Sequence, residues 1–133
     1  MAEAATAIEF SPQDVIVALL ANMRGGEGKF RADAVRIHKA LARLKQEAQY
    51  KELFKGLVFD RRDYFPYSEY LEETLDALQL AGYLDRTNPR GVYYQVRPSL
   101  FSMFDREIKR RFKAEQLELL EAASTEFFTE IMS

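Results

Sequence analysis

The chain has no cysteine and no tryptophan, one histidine, and only four prolines and six glycines among 133 residues. Without cysteine there is no disulfide, no thiolate metal site and no cysteine nucleophile, and the composition suits a reducing compartment. One histidine and scattered acids offer no constellation for metal binding or nucleophilic catalysis, so neither a cofactor nor an enzyme activity is expected. No apolar run approaches the roughly 18 residues of a spanning helix. The N-terminal MAEAATAIEF has no basic region and no long apolar stretch of the secretory kind. A cytoplasmic protein without membrane contact is the expectation. Charge of one dominant sign is missing too. A net charge of -2 gives no global attraction to nucleic acid, although a local basic patch can still bind it.

What is present is ordinary globular material, 47% hydrophobic and 30% charged. The length suits one domain with one core. Residues 10–133 are read as that domain, behind a loosely ordered 1–9. Ser11, Pro12 and Asp14 form a helix start. Val15, Ile16, Leu19, Leu20 and Met23 give its apolar face, and Gly25-Gly26 its end. A second helix is expected from about Arg31 to about Gln49, burying Ala34, Ile37, Leu41, Leu44 and Ala48, with Arg36, Lys39 and Arg43 opposite. Tyr50 to Phe54 reads as a short helical turn ended by Gly56, 57–59 as a short strand, and Asp60 to Asp63 as a polar loop. Residues 98–132 carry two apolar stripes that fall out of phase, so a break is expected near Lys113.

The stretch 65–96 carries the most information. Ser68 caps a third helix, with Leu71, Leu75 and Leu78 facing inward and Gly82 as its stop. Tyr83 to Thr87 and Val92 to Arg97 then flank a turn, Asn88-Pro89-Arg90-Gly91. This is the outline of a winged helix. The fold class expected is α+β, mostly helical, with a winged-helix core of three helices plus a β-hairpin wing, followed by two C-terminal helices.

Arg36-Ile37-His38-Lys39-Ala40-Leu41 in the second helix, Pro66-Tyr67-Ser68 opening the third, and the series Leu71, Leu75, Leu78, Gly82-Tyr83-Leu84 lie in an order that resembles the SocA/YwgA-like (Panacea-type) group of bacterial and phage proteins. The resemblance covers roughly residues 12 to 105, including the long spacer between helices two and three. One departure is Phe65, where that group usually has glycine. The resemblance implies a non-catalytic regulatory or adaptor module that recognises a protein partner. Read by itself, Pro-Tyr-Ser is a structural helix entry.

The third helix carries Glu69, Glu72, Glu73 and Asp76 and no Lys or Arg. Between the phosphate rails of a major groove four carboxylates meet repulsion. They are a solvated face or a docking face for a basic partner, and they are the candidate partner-binding residues. Basic residues pull the other way. Arg86, Arg90 and Arg97 in the wing, with Lys109 and Arg110 further on, are the candidate nucleic-acid-binding residues. Their bland reading is solvated charge, some of it paired with the acids of the last helix. Gly25-Gly26-Glu27-Gly28-Lys29 follows a helix and lacks phosphate-loop spacing, so it reads as a connection. His38, at the edge of the second helix's apolar face, reads as a packed or half-exposed residue rather than a base or ligand. Phe127, Phe128, Ile131 and Met132 either return to the core or make a contact with a partner or, through the C-terminal helix, a homodimer. The leading reading is a non-enzymatic protein-interaction or regulatory module. The alternative is a DNA-binding regulator using the wing and basic helices.

Overall fold

A computed structural model of the chain describes residues 10–23, 28–62, 65–87 and 93–132. Ser11 and Asp14 close the first helix, α1 (Pro12–Ala21), with a capping box: the Asp14 N–H donates to Ser11 Oγ, and the Ser11 N–H donates to Asp14 Oδ2. Every residue of α1 from Asp14 to Ala21 is buried, which makes it the central helix.

The chain next forms a strand that the periodicity reading did not contain. β1 (Lys29–Arg31) buries Phe30 and exposes the residues on either side. The second helix therefore starts later than Arg31. α2 is Ala34–Gln46, and the Asp33 carboxylate caps it by accepting from the Arg36 N–H. It also ends before Gln49. Glu47 is extended, and a 3-10 turn, Ala48–Tyr50, leads into α3 (Lys51–Phe54), which realises the expected helical turn. The strand expected at 57–59 does not form. Leu57 is fully buried and Val58 is 67% exposed, and the neighbouring polar Asp60–Arg62 is the strand instead, β2. It pairs antiparallel with β3 (Phe65–Tyr67), with Asp60 opposite Tyr67 and Arg62 opposite Phe65. β pairing there follows backbone hydrogen bonding, which sequence hydropathy does not report.

α4 (Glu69–Leu80) opens at Ser68, whose Oγ accepts from the Leu71 N–H. It stops in a Schellman arrangement: the Tyr83 N–H reaches the Leu78 carbonyl and the Gly82 N–H reaches that of Gln79. Gly82 takes φ +84°, a region an L side chain resists. β4 (Leu84–Thr87) and β5 (Tyr93–Val96) follow, and β1 joins them in an antiparallel sheet of order β1-β5-β4. The expected Asn88–Gly91 turn, the Gly25-Gly26 helix end and the N-terminal 1–9 segment lie outside the described residues.

Pro98 opens α5 (Pro98–Met103), which continues through one π turn (Phe104–Ile108) and one 3-10 turn (Lys109–Arg111). The helix breaks at Phe112, which is extended, next to the expected Lys113. α6 (Ala114–Met132) then packs across α2, α1 and β1. Phe127 and Ile131 are buried there, and Ser124 donates to the Leu19 carbonyl. The apolar load of the C-terminus is thus largely committed within the chain. Six α-helices and two small antiparallel sheets make up the described residues, a mostly helical α+β fold around one apolar cluster.

Candidate functional site

Helix α2 and the Pro66-Tyr67-Ser68 segment meet in space. α2 presents His38 to the turn between β3 and α4. The ring is fully buried and lies parallel to Tyr67, 4.6 Å between centroids, with Phe65 edge-on at 6.1 Å. The Ser68 N–H donates to His38 Nδ1 at 2.9 Å, so Nδ1 carries no proton. His38 Nε2 therefore holds the hydrogen and donates it to Glu72 Oε2, also at 2.9 Å. One imidazole satisfies an orphan backbone donor at the mouth of α4 and holds a carboxylate one turn further on. Both ring nitrogens are engaged, which leaves neither free to act as a base or a ligand. Phe65 sits in the extended backbone of β3, a conformation open to any residue, and its ring uses the space against His38.

This junction sorts the four candidate acids of α4. Glu72 turns toward His38 and is about 30% exposed. Glu69, Glu73 and Asp76 face solvent. At 100° per residue they share a stripe with Leu80, whose side chain is 91% exposed. No Lys or Arg lies on α4. The surface is an acidic ridge ending in a bare leucine, with Tyr70, 40% exposed, on an adjoining line.

The candidate cations are placed differently. Arg86 is exposed and lies opposite Tyr94 in the sheet, with its guanidinium 5.4 Å from the centre of that ring. Burial raises the Tyr94 hydroxyl above its ordinary pKa, and the Arg86 charge opposes that rise. Arg97 is bound to Asp85 at 2.8 Å. Arg90 lies outside the described residues. Lys109 borders a cleft with Asp105, Glu118 and Glu121, so its charge sits among carboxylates. Arg110 is exposed beside it in sequence. Of the basic stripe on α2, Arg36 meets Asp33 at 3.4 Å, and Arg43 is gathered by Glu47, Glu126 and Glu130. The pairing with the last helix that the bland reading allowed is therefore present for Arg43.

Two cations that were not among the candidate site residues are placed by β1. Lys29 and Arg31 alternate with buried Phe30, so they lie on the outer face of the sheet. Lys29 Nζ stands 5.1 Å over the Tyr93 ring, and Arg31 is the cross-strand partner of Tyr93. The signal was the polar-apolar-polar Lys-Phe-Arg triplet, too short to distinguish from a helix start.

Among the described residues no group of three or more His, Cys, Asp or Glu is arranged to hold a metal ion, and no helix is long and apolar enough to cross a membrane. Comparison with protein-family models, with curated proteins and with solved structures found no match to this chain.

Proposed function

We propose that the chain is a non-enzymatic protein-interaction or regulatory module on a winged-helix scaffold of the SocA/YwgA-like kind, working in the bacterial cytoplasm through the acidic ridge of α4. The hairpin β4–β5 behind the Gly82 stop supports the winged-helix part, and β1 extends that hairpin on its β5 side. The observation that carries the functional part is the ridge itself: Glu69, Glu73 and Asp76 in line with a leucine that is 91% exposed. A basic partner with an apolar pocket matches it, because the leucine supplies the buried anchor and the acids supply steering and a polar rim. The sole histidine, buried with both nitrogens occupied, supports the non-enzymatic part. The test is affinity capture with the full chain against Leu80→Ser and against Glu69→Ser/Glu73→Ser/Asp76→Ser. A partner kept by the parent protein and lost from both variants supports the proposal. Retention by both variants removes the ridge from consideration.

One observation favours a second reading, DNA binding through the sheet. Lys29 and Arg31 flank Tyr93 on its outer face, an aromatic set among cations. Such binding weakens steeply with salt. A duplex mobility shift abolished by Lys29→Gln/Arg31→Gln, or by Arg86→Ala/Arg90→Ala/Arg97→Ala, supports this reading, and no shift at low salt removes it.

A further inference from the structure

We propose that the groove between α2, α3 and the β2–β3 hairpin binds a small organic phosphate bearing a planar ring, of nucleotide size and charge. This concerns different residues from the α4 ridge and stands apart from the function proposed above. The groove encloses about 790 Å³, inside the roughly 300–1,000 Å³ usual for small-molecule sites. Lys45 from α2, Lys51 and Lys55 from α3 and its C-terminus, and Arg61 from β2 all border it, and among the described residues one acid, Asp60, lies with them. Four cations around one acid stand out in a chain whose net charge is -2.

Lys45 gives the groove a fixed charge. Its Nζ donates to the Leu57 carbonyl at 2.5 Å and lies 6.0 Å from the centre of the Phe59 ring. The side chain is half-buried, and among the described residues no carboxylate lies within ion-pair distance of it. A carbonyl and a ring face orient the ammonium without neutralising it, and two of its three donors remain. Lys55 meets Glu52 at 3.3 Å, but both side chains are largely exposed and the pair is weak. Lys51 and Arg61 are exposed and have no ion pair among the described residues.

A phosphate monoester carries about -1.5 to -2 charges near neutral pH. Lysine ammoniums meet it as point charges, and the arginine fork meets it bidentately. The apolar walls decide the rest of the ligand. Phe59 and Pro66 border the same groove, and a flat ring finds its natural contact on an aromatic face. The hairpin wall is held against α2 by the Ser68–His38 hydrogen bond and the Tyr67–His38 stack, so the groove exists before any ligand arrives.

The test is calorimetric titration of the full chain with ATP, AMP, inorganic phosphate and a DNA duplex. ATP and AMP are expected to bind, with phosphate alone at least about tenfold weaker. Lys51→Gln/Arg61→Gln, both at exposed positions that leave folding intact, is expected to weaken ATP at least about tenfold, the equivalent of ~1.4 kcal/mol. Lys45→Met is expected to do the same with an unchanged circular-dichroism spectrum, and Lys109→Gln/Arg110→Gln to leave ATP binding as it was. No nucleotide binding at millimolar concentration overturns the proposal, as does binding that survives Lys51→Gln/Arg61→Gln. Phosphate binding as tightly as AMP overturns the ring-recognition part. Duplex binding lost in the groove variants, with no nucleotide binding, replaces the proposal with a nucleic-acid backbone contact.

Discussion

Helix α2 is fastened on two sides, and the fastenings are built differently. On one side the buried His38 makes two hydrogen bonds, to the Ser68 N–H and to Glu72, and stacks on Tyr67. On the other, Arg43 is surrounded by Glu47, Glu126 and Glu130 with about 43% of its side chain exposed. The exposed side has more charges, while on the buried side the His38 ring has no solvent to replace a lost partner. Burial, rather than the number of ionic contacts, decides which side the fold depends on. Tyr50 stands between these extremes. It is buried, and its hydroxyl donates to the half-exposed Glu126 at 2.6 Å.

The contrast breaks most readily at His38. His38→Ala strands the Ser68 N–H in the interior and opens a cavity, with an expected cost of ~2–4 kcal/mol in urea unfolding. A double-mutant cycle of His38→Ala with Glu72→Ala should be clearly non-additive; additivity would place Glu72 with the solvated acids. Ser68→Ala removes the α4 cap and leaves the His38 contact, with an expected cost of ~1–2 kcal/mol. Tyr50→Phe should cost about 1 kcal/mol near neutral pH. Burial, then the Glu126 hydrogen bond, pushes the Tyr50 hydroxyl up from 10.0 to about 12. The folded state thus holds this proton more tightly than the unfolded chain. The stabilisation is complete below pH 10 and is lost as pH rises through about 12. The Tyr50→Phe protein should show a shallower loss of stability across that window. Arg43→Ala should have the smallest effect, up to ~1 kcal/mol and shrinking with added salt. A larger loss at Arg43 than at His38 would reverse the ranking.

Much of the helical framework was legible in the sequence, because local signals carry it. Ser11, Ser68 and Gly82 mark helix ends, and the phase slip between the Phe101–Phe112 and Leu117–Ile131 stripes marks the break at Phe112. What was not legible depends on partners far along the chain. β1 and β2 are three-residue strands whose existence rests on a neighbour rather than on their own residues. The helical period puts His38 at the edge of the apolar face, packed or half-exposed, and does not show that it is fully buried or that it meets Ser68 and Glu72. The same holds for Glu72, which belongs to an acidic run by sequence and to a histidine by structure. The cations of α2 looked like a stripe, and only the positions of Asp33, Glu126 and Glu130 show that Arg36 and Arg43 are already paired. The groove around Lys45 was out of reach for the same reason, since its walls come from three elements.

The sheet order β1-β5-β4 also constrains how the chain assembles. Lys29–Arg31 pairs with Tyr93–Gln95 and, among the described residues, with no other strand. During synthesis β1 emerges early and has nothing to pair with until the far arm of the hairpin leaves the ribosome. Closure of the sheet is thus a non-local event, and its loop-closure entropy is expected to weigh on the slow part of folding. A chain interrupted before Tyr93 also lacks α6, so Phe30 loses both Tyr94 and Phe127 and β1 keeps an unpaired edge, the kind of edge that invites aggregation.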